Sequence, residues 1–259
     1  MKILSIGNSF SVDAQAYLHQ LAKAEGENLE CHNLFIGGCS LQTHWTNASE
    51  DLANYVYFVN GVSVYANEEG EVTRKVTIKE LLMAEEWDVV TMQQCSPYSG
   101  LYATYQPYLD NLSAYVRQYA PQARQYIHET WAYEIDSTHA HFPHYGCDQM
   151  NMYNRLKDAY AQAAEAIGAP IIPCGDVIQH LRTLKPFDYA HGGLSLCRDG
   201  FHMGIPLGRY ALACVWYTTL TGKVACHDDF VPEGCEEKDL PLLQLIREET
   251  GHFVLDNND

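Results

Sequence analysis

Basic residues are scarce in this chain. Lys and Arg number 16 against 33 Asp and Glu, a formal charge of −17. A surface that negative repels phosphate backbones and anionic lipid, so neither nucleic acid nor a membrane is an expected partner. Long apolar runs are also missing. No stretch approaches 18 consecutive apolar residues, so no transmembrane helix is expected. The apolar start, Met1 to Ile6, is too short for a signal-peptide core and runs straight into Gly7-Asn8-Ser9. The nine cysteines form no C-x-x-C pair and no regular framework. Free, mostly buried thiols in a reducing, cytoplasmic compartment are the simpler expectation. Phosphate cradles are absent too, because Gly37-Gly38 fits neither G-x-G-x-x-G nor the P-loop pattern.

What is present is a globular composition, 47% hydrophobic over 259 residues, which suits a single large α/β domain over 1–259. Strand and helix patterns alternate, the signature of a parallel sheet with helices on both faces. Five strands are predicted: Lys2 to Ile6, Leu29 to Phe35, Trp87 to Met92, Arg124 to His128 and Ala169 to Pro173. Helices are predicted over Val12 to Glu25, Gln106 to Tyr119, Asp148 to Ile167 and Gly204 to Leu220, the last taken as the final core helix. The result is a flavodoxin-like three-layer α/β/α sandwich. Asn60-Gly61 between alternating residues predicts a β-hairpin inserted around 55–76. Thr130 to Cys147 reads as a long loop rich in aromatics and histidines.

Two short motifs carry chemistry. Gly7-Asn8-Ser9 lies between the first strand and a helix, where open α/β sheets place their sites and where a helix N-terminus can face an oxyanion. By itself the motif is weak, since Ser9 or Ser11 also reads as a helix N-cap. Asp199-Gly200-Phe201-His202 lies just before the last predicted helix. An Asp three residues before a His can hold the imidazole in one tautomer and leave the ring free to take a proton from a serine.

Together the two motifs resemble the SGNH (GDSL-like) hydrolases. Gly37-Gly38-Cys39-Ser40 resembles that family's glycine block, and Trp87 to Gln94 the strand leading to its third block. Arg198 to Met203, with Gly208 to Ala213, is similar to the bacterial DUF4886 subgroup. The resemblance implies Ser9 as nucleophile, Asp199 as orienting acid and His202 as general base. It also implies an oxyanion hole from the N–H groups of Ser9 and Gly38. The family's third donor is an asparagine, and this chain has none there. Gln93 or Gln94 is the candidate replacement, with Gln93 favoured.

The expected activity is hydrolysis of a carboxylic ester, with a small acyl group such as acetyl on a carbohydrate as substrate. A longer-chain lipid esterase or thioesterase, or a degenerate sugar-binding fold, stand as alternatives. Asn8, Gln94, Trp45 and Trp131 are candidate substrate contacts. His139, His141, His144 and Cys147 fit no regular zinc spacing, so no metal or other cofactor is expected. Cys39 and Cys95 read as packing residues. Composition is silent on oligomeric state.

Overall fold

The computed structural model describes residues 1–257. Its centre is one sheet in the order β4-β3-β2-β1-β5-β6-β7. β1 (Lys2–Gly7), β2 (Glu30–Phe35), β5 (Val89–Met92), β6 (Arg124–His128) and β7 (Ile171–Ile172) run parallel. β1 is buried from Ile3 to Gly7, as expected of a central strand covered on both faces.

The sheet has seven strands rather than five. The two extra ones, β3 (Val56–Val59) and β4 (Val62–Ser63), are the predicted hairpin. Asn60 (φ 49°) and Gly61 (φ 82°) take the left-handed conformations that a tight two-residue turn needs. The hairpin extends the sheet because β3 pairs antiparallel with the edge of β2, from His32↔Val59 to Phe35↔Val56. Asn60 locks that pairing, its Oδ1 accepting the Cys31 N–H at 2.9 Å.

Helices cover both faces. The first predicted helix divides into α1 (Ser9–Gln15) and α2 (Leu18–Ala24). It also starts three residues earlier than predicted, because Asn8 caps it. α3 (Leu41–Ser49) and α4 (Ile78–Ala84), unpredicted, are capped by Ser40 and Thr77. α5 (Tyr108–Tyr119) and α6 (Gln149–Ile167) follow, the latter capped by Asp148 and ended by Gly168. α7 (Cys174–Leu181), α8 (Leu207–Thr221) and α9 (Leu240–Asp256) complete the chain. One layer groups α8 with α1, α2, α7 and α9, and α5 packs with α3, α4 and α6.

α8 is buried from Tyr210 through Thr218, so no polar face remains for solvent. It therefore needs a cover, and α9 supplies it. The final core helix is thus α9, not α8. Among the described residues no helix is long and apolar enough to cross a membrane.

Candidate active site

In this strand order the connection from β1 runs to one side of the sheet and those from β5 to the other. The chain ends of β1 and β5 therefore flank the crevice where doubly wound sheets bind ligands. Gly7 closes β1, and a Cβ on it would lie 2.3 Å from Ser11 Oγ, so only glycine lets the strand turn into α1 here. Asn8 is extended, and its Oδ1 accepts the Phe10 N–H at 3.0 Å. That cap makes Ser9 the first helical residue, with its N–H at a helix start.

The opposite wall is a tight loop closed by a bridge between Cys197 and Met203. Gly200 takes φ 85° at its tip. Asp199 Oδ1 accepts the N–H groups of His202 at 2.8 Å and Phe201 at 3.2 Å. Asp199 Oδ2 lies 2.7 Å from His202 Nδ1. A carboxylate only accepts, so Nδ1 carries the proton and Nε2 is free to accept. Nε2 stands 2.9 Å from Ser9 Oγ, whose hydroxyl donates to it. Partial burial pushes the Asp199 carboxyl up, but the bonds from the His202 ring and the two N–H groups outweigh it and hold the carboxyl below its ordinary range.

Ser9 opens into a cavity of about 300 Å3, with Asn8, Phe10, Gly37, Gly38, Ser96, Pro97, His139, Phe201 and His202 around it. Gly38 takes φ 62°, a conformation that favours glycine. Among the described residues neither the Ser9 nor the Gly38 N–H has an acceptor. The glycine loop is pinned by Asn8 Nδ2, which donates to Cys39 O at 3.1 Å.

The structure therefore brings Ser9, Gly38, Asp199, His202 and Asn8 together. It turns the two glutamines elsewhere. Gln93 Nε2 donates to Asn8 Oδ1 at 2.8 Å, and its Oε1 accepts from His128 Nδ1 at 2.7 Å. Burial drives the His128 ring down to about 3, so it stays neutral. Gln93 is thus the middle of a buried chain that orients Asn8, and it does not line the cavity. Gln94 clasps two loops: its Oε1 accepts the Leu41 N–H at 3.0 Å, and its Nε2 donates to Thr104.

Neither tryptophan lines the cavity. Trp131 is fully buried, stacks on Phe10 at 4.2 Å and donates to Phe201 O at 2.7 Å, so it supports the wall from behind. Trp45 sits on α3 with its edge to Tyr115 of α5.

Three residues at or behind the site had no such role in the sequence: Ser96 and Asp13 drew no notice, and His139 was weighed only as a metal ligand. Ser96 lines the cavity, its Oγ 2.9 Å from Tyr133 OH. His139 also lines it; its Nδ1 accepts the His141 N–H at 3.2 Å, which leaves Nε2 as the protonated nitrogen. Burial, then the neighbouring His141 and His202, push its ring below the ordinary range. Asp13, 1% exposed, receives Arg198 Nη1, Arg209 Nε and the Met203 N–H at 2.8 to 3.0 Å, tying α1 to the Asp199–His202 loop. The signal for Asp13 was available: a charge on the apolar face of a predicted helix requires a partner.

His139, His141, His144 and Cys147 do not converge as ligands. Among the described residues the Glu/Cys/His atoms that do cluster belong to Glu25, Cys226 and His227. Burial pushes the Cys39 and Cys95 thiols up to about 12, which favours the protonated thiol over the nucleophilic thiolate. A larger hollow of about 450 Å3, bordered by Phe230, Leu240 and Arg247, contains no nucleophile–base pair, so chemistry and not size selects the Ser9 cavity.

Comparison with known proteins identifies the family and the fold. The family model described as a domain of unknown function, DUF4886, matches residues 2–246. A DUF4886 family protein from Bacteroides uniformis superposes with a TM-score of 0.86 at 35% identity, covering 100% of this chain and 96% of that one. A candidate SGNH hydrolase from Slackia heliotrinireducens superposes at 0.55 with 24% identity, covering 85% and 98%. A variant of an acetyl xylan esterase from Geobacillus stearothermophilus does so at 0.52 with 14% identity, covering 87% and 97%. No curated protein matches the chain.

Proposed function

We propose that this chain, which belongs to the DUF4886 family and has the SGNH hydrolase fold, is a serine esterase that removes a small acyl group, acetyl foremost, from a carbohydrate. The observation that carries the reading is the unbroken run of hydrogen bonds from Ser9 Oγ through His202 to Asp199, opening into a cavity. His202 Nε2 takes the Ser9 proton as Oγ attacks the ester carbonyl. The N–H groups of Ser9 and Gly38 hold the oxyanion. The imidazolium, steadied by Asp199, returns the proton to the leaving alcohol. Water then attacks the acyl-enzyme with His202 again as base, and Ser9 is released.

Ser96 is the side chain best placed to act as third donor. Ser96 Oγ and Tyr133 OH are 2.9 Å apart, and with the phenol, the stronger donor, donating, the serine proton is left for the cavity. The acyl preference follows from size and lining. A volume of about 300 Å3 lies at the low end for ligand sites, and Phe10, Pro97 and Phe201 wall it. The acetyl xylan esterase of the same fold supports a sugar ester by analogy alone.

A degenerate sugar-binding fold is the second reading, and the observation in its favour is Gln93, whose amide is committed to Asn8. Hydrolysis of 4-nitrophenyl acetate, butyrate and octanoate by wild type and Ser9→Ala separates the two. The esterase reading expects acetate to be turned over best and Ser9→Ala to lose about 10³-fold or more. Equal, slow rates for both proteins on every ester would overturn it.

A further inference from the structure

Beside the Ser9 cavity lies a second hollow of about 410 Å3 whose lining includes Ser40, Gln42, Tyr98, Thr104, Gln106 and Tyr108. We propose that this groove binds a neutral polyhydroxylated chain, an oligosaccharide, and presents its acylated unit to Ser9; the placement of the acyl group rests on the esterase reading above.

The two hollows share two walls. Gly38 borders the Ser9 cavity and Ser40 the groove, while the consecutive residues Pro97 and Tyr98 are divided between them. Successive Cα atoms lie about 3.8 Å apart, so both segments carry a ligand from one hollow into the other within one or two residues. The first segment contains the proposed oxyanion glycine, and the second follows Ser96 directly. A substrate with its carbonyl at Ser9 therefore directs its remaining bulk toward Ser40 and Tyr98.

The lining specifies the chemistry. Every side chain around the groove is uncharged, in a chain whose formal charge is −17. A cationic ligand would be served by the abundant carboxylates, and an anionic one would need arginine or lysine; neither type lines the groove. Hydroxyls and amides offer both donors and acceptors, which suits vicinal hydroxyl groups. The Tyr98 and Tyr108 rings, both half-buried, offer flat apolar faces to sugar C–H groups. Tyr98 packs edge-on against His141, with ring centroids 6.2 Å apart. A long acyl chain would find no comparable apolar trough here.

The test separates the groove from the esterase chemistry. Wild type, Gln42→Ala and Tyr98→Ala are assayed on 4-nitrophenyl acetate and on acetylated xylotriose and cellotriose. Binding of the same oligosaccharides to Ser9→Ala, with and without each groove substitution, is measured by titration calorimetry. The proposal expects both substitutions to leave 4-nitrophenyl acetate turnover within about twofold of wild type. It expects kcat/KM on an acetylated oligosaccharide, and its affinity for the Ser9→Ala protein, to fall at least tenfold. Oligosaccharide binding that disappears with Tyr98→Ala while no ester is cleaved upholds the groove and overturns the esterase reading. Hydrolysis of 4-nitrophenyl acetate with no oligosaccharide binding, or binding indifferent to both substitutions, overturns the groove.

Discussion

Asp13→Asn tests how the site is assembled, because Asp13 reacts with nothing yet holds the two halves of the site together. Its carboxylate takes Arg198 Nη1 at 3.0 Å, Arg209 Nε and Nη2 at 2.8 Å, and the Met203 N–H at 3.0 Å. Arg198 Nη1 also donates to Met203 O, so this one group anchors the residue that follows His202. An asparagine of the same shape keeps one acceptor and turns the other oxygen into a donor facing donors. Breaking a buried ion pair by altering one partner costs about 3–5 kcal/mol. Here the arginine side chains keep 33% and 22% exposure and can rehydrate, so about 2–4 kcal/mol is expected. For a chain of this size each kcal/mol lowers Tm by about 2–4 °C, giving a fall on the order of 5–15 °C. A misplacement of about 1 Å can cost on the order of 10²-fold. With the His202 loop released from α1, kcat on 4-nitrophenyl acetate should fall about 10- to 100-fold. KM should change less, since Gly38, Pro97 and Phe10 still wall the cavity. Thermal melts followed by circular dichroism and steady-state kinetics read both effects. A variant that melts within about 2 °C of wild type with full kcat would refute the argument. Lost stability with full kcat would show that the loop holds its position without Asp13.

Three further expectations follow from buried groups. His44 and His128 are fully buried and pushed down to about 3. The unfolded chain protonates them near their ordinary value of about 6.5, so between those values it binds more protons than the folded protein. Stability is therefore fully present above pH 6.5 and falls as pH drops, by about 2–3 kcal/mol per unit between pH 6 and 5 from this pair; urea titrations should show half that slope from the pair when one is replaced by glutamine. Ser96→Ala should reduce kcat by about 10²-fold with KM little changed, the pattern of a lost oxyanion donor, and an unchanged kcat on 4-nitrophenyl acetate would remove Ser96 from the mechanism. Gly7→Ala places a methyl 2.3 Å from Ser11 Oγ, which is itself bonded to Asn8 O and Asn33 Oδ1, so melts should show a loss of about 1–3 kcal/mol.

Legibility followed sequence distance. Asp199 and His202 stand three residues apart, so one turn suffices to bring them together and the chain alone nearly dictates their bond. Gly7-Asn8-Ser9 was readable because a glycine, a cap and a serine between strand and helix are all local requirements. Asn60-Gly61 announced its hairpin for the same reason. The alternation of apolar runs announced the α/β class. Whether the hairpin would lie free or join β2 was not local, since it depended on an open sheet edge. Nor was α9, whose place follows from a helix with no polar face needing a cover.

The rest required the folded chain. Ser9 meets His202 across 193 residues, Gln93 meets Asn8 across 85, and Asp13 meets Met203 across 190. A glutamine at a strand end looks the same in sequence whether its amide faces a cavity or a neighbouring asparagine. Packing around β5 and β6 chose the second by offering Gln93 the His128 N–H on one side and Asn8 Oδ1 on the other. The same holds for Trp131, which sequence placed at the rim and the stacking of Phe10 drew into the core. Local motifs thus determined the class of fold and the candidate reacting residues. The tertiary structure decided which polar side chains face the cavity, because that depends on which partners bury with them.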